Sequence, residues 1–214
     1  MVFVGFKMWK EDFSEEMFEM ACRTNWKRLI GFDYVQEEDK YESLASYDPI
    51  IDRVLQRYPH LAHLKKAYHA GETSNHLTDN IEIAVKAGTV RIGHGINILQ
   101  RTEFLPHCKN ICFEKNPISN LLLGYVSDLR DSSTPVLLGL GYPVSISPDD
   151  PGKFGYEDTT PDYFVAALCY NWSLRHLKLI GYHSINHALC DESVKSHLIS
   201  SYEKAWDAWV HRFL

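Results

Sequence analysis

Four segments of the 214-residue chain carry side chains that can hold a metal ion or move a proton: His69-Ala70-Gly71-Glu72, Arg91-Ile92-Gly93-His94-Gly95, Glu114, and Asp149-Asp150-Pro151. Neutral imidazole and carboxylate are ordinary zinc donors, and a catalytic zinc keeps one coordination position for water. A carboxyl that does not bind the ion can carry protons to and from that water. Two histidines, an aspartate and a glutamate therefore suffice for metal-assisted hydrolysis, provided that the fold brings them together. Taken singly, each has a plainer reading: a strand histidine is more often a hydrogen-bonded structural residue, and Asp-Asp-Pro is also a turn and helix cap. Gly71, Gly93 and Gly95 fit a backbone that turns tightly or admits a close approach.

Each of these segments closes a run that reads as a strand. Strands are predicted over Met1–Met8, Leu29–Val35, Lys65–Ala70, Thr89–His94, Asn110–Glu114 and Pro143–Ser147. Between the first two, Ser14 is expected to cap a helix with Glu15 and Glu16 in its first turn and Met17, Met20, Ala21 and Trp26 on its apolar face. An acidic loop from Gln36 to Glu42 precedes a helix predicted over Pro49–Arg57. Thr78-Asp79 opens a helix through Ala87 that Gly88 stops. Thr160, with Pro161 at the first helical position, starts another reaching about Tyr170, and Asp191 caps one running to about Arg212. Helices are expected after every strand. This alternation predicts a parallel sheet buried on both faces, an α/β barrel or a doubly wound sheet, with residues 1–214 as one domain. In a barrel the strand ends share one mouth, which brings distant segments together.

Composition narrows the function. With 45% hydrophobic and 23% charged residues the chain reads as globular, and its net charge of -6 argues against a protein that grips nucleic-acid phosphates. No apolar run reaches the roughly 18 residues of a membrane helix. The N-terminal residues lack the pattern of a signal peptide and read as a strand. Five cysteines without a C-x-x-C pair carry no zinc-knuckle or redox signature, and Cys108 and Cys112 read as buried thiols.

Five motifs in order resemble those of the adenosine deaminase family: His69-Ala70-Gly71-Glu72-Thr73, Arg91-Ile92-Gly93-His94-Gly95, Glu114 through Pro117-Ile118-Ser119-Asn120, Val126-Ser127-Asp128-Leu129-Arg130, and Ser147-Pro148-Asp149-Asp150-Pro151. Gly31-Phe32-Asp33, Glu38-Asp39 and Gly5-Phe6-Lys7-Met8 are similar to the growth-factor-related, type 2 branch. The resemblance implies a TIM-type (β/α)8 barrel of the metal-dependent hydrolase kind, with about six of its eight units in this chain. It implies one zinc ion and hydrolytic deamination of adenosine, with 2′-deoxyadenosine as a further substrate, to inosine and ammonia. His69 and Asp149 would be zinc ligands, Glu72 the proton shuttle to the purine ring nitrogen, and His94 the group that orients and deprotonates the zinc-bound water. Asp150, Gly71 and Asp33 would contact the substrate, a small purine nucleoside; no nucleic-acid or membrane partner is implied. Full-length relatives of that branch are extracellular homodimers.

The sequence also departs from the pattern. The family's His-x-His pair of further zinc ligands occurs nowhere in these residues, and the first strand matches the family's third. Asn116 stands where the family usually has Cys, and Gln36 where it usually has Gly. An open six-strand sheet would leave edges for another chain to cover. The alternative reading is a non-catalytic remnant or interaction protein that retains the motifs by descent.

Overall fold

The computed structural model describes residues 1–24, 28–75 and 77–213. All six expected strands form: β1 (Val2–Phe6), β2 (Gly31–Val35), β3 (Lys65–Ala70), β4 (Arg91–His94), β5 (Cys112–Lys115) and β6 (Val144–Ile146). They lie in one sheet in the order β1-β2-β3-β4-β5-β6, every neighbouring pair parallel. Among the described residues β1 and β6 are the two edges.

Register decides which residues meet. Tyr68, Ile92, Phe113 and Val144 align across β3 to β6 and are fully buried beneath the helices. The next row, His69, Gly93, Glu114 and Ser145, faces the other way. Gly93 is needed there, because a Cβ on it would lie 3.1 Å from the imidazole of His69.

The helices correct several sequence expectations. α1 spans Glu11–Arg23, so Ser14 is not its cap but lies inside it, buried, with Oγ 2.6 Å from the Tyr34 hydroxyl. A buried phenol needs a polar partner, and that demand outranks capping. Glu15 leaves the expected first-turn role to pair with Arg53 (2.8 Å) and Arg57 on α2. Trp26 lies outside the described residues. α2 starts earlier than expected, at Leu44, with Ser43 Oγ accepting the Ala45 N–H at 3.1 Å, and it runs through Pro49 to Arg57. The single hydrogen bond lost at a proline is offset by the burial of Leu44, Tyr47, Ile50, Ile51 and Val54.

α3 (Asn80–Lys86) ends at Ala87 and Gly88 as expected. After β4 the chain forms two 3-10 segments, Ile96–Gln100 and Thr102–Cys108, instead of an α-helix. Pro106 lies inside the second and cannot donate to a helical ladder. Cys108 and Cys112 are both buried thiols. α4 (Pro117–Leu122), α5 (Thr134–Gly139) and α6 (Pro151–Phe154) are short, and α7 (Thr160–Cys169) begins after Thr159, so Pro161 is its second residue. α8 (Leu174–Asn186) packs on β6, where His183 Nδ1 accepts the Val144 N–H at 3.2 Å, and α9 (Glu192–Val210) packs on α8. Among the described residues no helix is long and apolar enough to cross a membrane.

β1 is held by aromatic packing that leaves no room at Gly5, where a Cβ would lie 2.7 Å from the rings of Phe18 and Tyr34. Gly5→Ala is expected to destabilise the chain by about 1–3 kcal/mol through overpacking. Urea denaturation measures this; a variant as stable as the parent contradicts the packing described.

Candidate active site

Side chains at the C-terminal ends of β2, β3, β4 and β5, and in the segment after β6, converge on one rim. Asp33 on β2 meets His69 on β3: its Oδ1 accepts the His69 backbone N–H at 3.0 Å and its Oδ2 lies 2.8 Å from Nδ1. Burial alone would lower the His69 pKa, but the Asp33 carboxylate overrides it and raises the group to about 10. The proton on Nδ1 is thereby directed at Asp33, which leaves Nε2 for another partner.

His94 ends β4, fully buried, with a left-handed backbone at φ 62°. Its Nδ1 lies 2.7 Å from Asn120 Oδ1, and its Nε2 receives the Asn116 amide N–H at 3.1 Å. Burial, reinforced by charge on His69, lowers its pKa to about 4, so the ring is neutral. Nε2 also lies 3.5 Å from Glu72 Oε1 and 3.7 Å from Asp149 Oδ2. Asp149, again left-handed at φ 59°, accepts the Ser119 hydroxyl at 2.6 Å. His69, His94 and Asp149 each offer a donor atom, all within 4.8 Å of one another. Two imidazoles and a carboxylate, each steadied by a second group, suit a divalent zinc ion.

Glu72 follows Gly71 and is buried beside this cluster. Its backbone N–H donates to Glu38 Oε1 at 2.9 Å, and Glu38 Oε2 accepts the Asn80 amide at 2.7 Å. Burial, with Asp149 and Glu38 nearby, raises the Glu72 carboxyl to about 7 against the opposing charge of His69 and Lys7. A carboxyl poised there both holds and releases a proton near neutral pH. Gly71, at φ 74°, is tightly enclosed: a Cβ would lie 2.5 Å from Asn97 Oδ1. Asp150 stands exposed at the head of α6, outside the metal-donor group. Glu114 pairs with Arg91 and does not join that group.

The sequence reading gave no role at the rim to Lys115 or Lys7. Lys115 is buried and donates to the His94 and Gly95 carbonyls (2.5 and 2.9 Å) and to Ser133 Oγ (2.9 Å), pinning the strained turn that presents His94. Lys7 is buried among Glu38, Glu72 and Asp33, its Nζ without a partner among the described residues. A lysine closing the apolar run Val2-Phe3-Val4-Gly5-Phe6 was the signal available for it. Gln36 adopts φ 127°, which explains why a glycine suits this position.

Six parallel strands that present a His, His, Asp group able to hold a metal at their C-terminal rim match the α/β fold of TIM-barrel amidohydrolases. The family profile described as adenosine deaminase matches residues 1–205, and the chain belongs to that family. It is 34% identical over 184 residues to adenosine deaminase 2 of Dictyostelium discoideum, covering 83% of this chain and 34% of that protein. The crystal structure of an adenine deaminase from Arthrobacter aurescens superimposes with a TM-score of 0.82 at 20% identity, over 96% of this chain and 61% of that one. A Burkholderia ambifaria amidohydrolase solved with bound zinc gives a TM-score of 0.81 at 16% identity, covering 98% of this chain and 57% of that one. The chain spans 34% to 39% of the length of the first curated relatives it matches.

The raised Glu72 pKa couples the site to stability. Below pH 4.5, its ordinary value, Glu72 is protonated both folded and unfolded and costs nothing; as pH rises to about 7 the unfolded chain ionises first and the native state loses stability. In the metal-free chain, Glu72→Gln is therefore expected to exceed the parent by roughly 1–3 kcal/mol above pH 7. The advantage should vanish below pH 4.5, as followed by urea denaturation across pH. Gln36→Gly should also stabilise the chain, by about 1 kcal/mol through release of backbone strain; a lower thermal midpoint in the same buffer contradicts that reading.

Proposed function

We propose that this chain carries the catalytic rim of a zinc-dependent deaminase that hydrolyses adenosine to inosine and ammonia. The observation that carries the reading is Glu72, a buried carboxyl raised to about 7 and held 3.5 Å from His94 Nε2 beside the His69, His94, Asp149 group. Family membership supports the purine nucleoside as substrate, and deoxyadenosine belongs to the same proposal.

A bound zinc ion would acidify a water and polarise it for attack on the carbon bearing the amino group. His69, fixed through Nδ1 by Asp33, presents Nε2 as a donor, and Asp149 presents a carboxylate oxygen steadied by Ser119. The family resemblance gives His94 to the water and leaves the remaining ligands to a His-x-His pair absent from this sequence. Within the described residues, His94 is the third donor that the geometry offers. Glu72 in its protonated form delivers its proton to the purine ring nitrogen; the carboxylate so formed takes a proton from the oxygen added by water and passes it to the amine, which leaves as ammonia. Burial of Glu72, His94 and Glu38 keeps bulk water from levelling these proton transfers. Gly71 and Asp150 are proposed to contact the substrate, and Asp33 acts chiefly by orienting His69. Extracellular action is proposed on family resemblance alone.

The test is adenosine-to-inosine conversion by the purified chain with added zinc. Asp149→Ala is expected to lose both turnover and zinc, whereas Glu72→Gln should lose turnover by a factor of about 100 or more while keeping its zinc. Zinc uptake near pH 7 should also release about one proton, because His69 is protonated there in the metal-free chain. Turnover retained in Glu72→Gln removes the assigned proton carrier.

A further inference from the structure

Asp149 is held from two sides, and both holds lead to one buried carboxylate. Its Oδ2 accepts the Ser119 hydroxyl at 2.6 Å, and Ser119 follows Ile118, whose backbone N–H donates to Asp162 Oδ1 at 3.1 Å. That N–H belongs to the first turn of α4, where the helix itself supplies no acceptor. On the other side, the Tyr156 hydroxyl stands 2.8 Å from Asp162 Oδ2 and 3.0 Å from the carbonyl oxygen of Pro148, sharing its one proton between them. The Pro148 carbonyl lies in the peptide plane that enters Asp149, so fixing that plane limits the φ of Asp149, which is left-handed at 59°.

Asp162 is the third residue of α7, where an acid ordinarily serves the helix start. Another residue has that task here: Asp158 Oδ1 accepts the Thr160 N–H at 2.7 Å. Asp162 is instead fully buried, a costly place for a carboxylate, with each oxygen engaged by a partner outside α7. A charge kept merely to favour the helix would stay in water. The two partners, Ile118 and Tyr156, come from the two segments that converge on Asp149.

We propose that Asp162 is a positioning residue for the metal site: its carboxylate ties down the start of α4, through Ile118, and the peptide entering Asp149, through Tyr156, so that the Asp149 carboxylate is presented in one place. The inference rests on the reading of Asp149 as a zinc ligand. It explains how a strained, left-handed residue keeps a carboxylate oxygen within 4.8 Å of a ring nitrogen of His69.

Zinc affinity of the 214-residue chain, by competition with a chromophoric chelator, tests it. Tyr156→Phe removes only the hydroxyl and should weaken binding roughly three- to tenfold, whereas Asp162→Ala removes both ties and should weaken it roughly 10- to 100-fold. Asp162→Asn still offers an acceptor to Ile118 and a hydrogen-bonding partner to Tyr156, and should recover most of that loss. Urea denaturation sets conditions in which each chain is folded. A role confined to stability then predicts parent affinity in all three variants, and that result overturns the proposal. So does Asp162→Asn binding as weakly as Asp162→Ala. Should Asp162→Ala not fold, Tyr156→Phe decides alone. A second measurement needs no metal: in 13C spectra the Asp149 carboxyl resonance should move in Tyr156→Phe toward the value of a carboxylate without a hydroxyl partner, while that of Asp33 stays. An unmoved Asp149 resonance overturns the proposal. A parent chain that binds no zinc overturns the metal-site reading instead, and the carboxyl resonance then decides the positioning role by itself.

Discussion

Parallel pairing in register is the constraint from which the site follows. Because β1 to β6 all run the same way, their C-terminal ends fall on one rim, and His69, Gly93, Glu114 and Ser145 share a row. A slip of one residue in any pair would turn its side chains to the opposite face. His69 would then enter the apolar layer now filled by Tyr68, Ile92 and Phe113. Apolar burial on the helical face thus locates the polar groups on the other, and the chemistry depends on a core it does not touch.

The rim itself is costly, and the structure shows how the cost is carried. His94 and Asp149 are left-handed without being glycine, and Gln36 is far from any favoured region, each a strain of about 1–3 kcal/mol. Around His94 the strain is held by Lys115, which ties the carbonyls of His94 and Gly95 to Ser133. Burial lowers the Lys115 pKa to about 7, so this clasp is itself paid for in desolvation. Strain and buried charge gathered at one rim are what a site selected for reactivity shows.

Electrostatic order within the rim comes from pairing each titrating group with a fixed one. Asp33 holds His69 charged, and burial of His94, reinforced by that charge, keeps His94 neutral. Glu38, satisfied by Asn80 and by the Glu72 N–H, places a second carboxylate behind Glu72 and helps to keep its proton on. Neighbouring groups of similar intrinsic acidity are thereby driven to opposite protonation states, which is how one small volume supplies both an acid and a base.

The sequence by itself determined the six strands, the parallel α/β class, the family and the grouping of His69, His94, Glu72 and Asp149, because strand periodicity and motif order are local properties. Helix starts were less legible: Ser14 and Ser43 are both good caps by type, and only the buried phenol of Tyr34 took Ser14 into the interior of α1. The roles of Asp33, Asn116, Asn120, Lys115 and Lys7 were not legible. The groups they act on lie on distant segments, as Asp33 and His69 do at a separation of 36 residues, and Lys7 is set among Glu38, Glu72 and Asp33. Tertiary structure alone decided which nitrogen of each histidine is engaged by a neighbour and which faces the site, since that depends on hydrogen bonds between segments that no local pattern encodes.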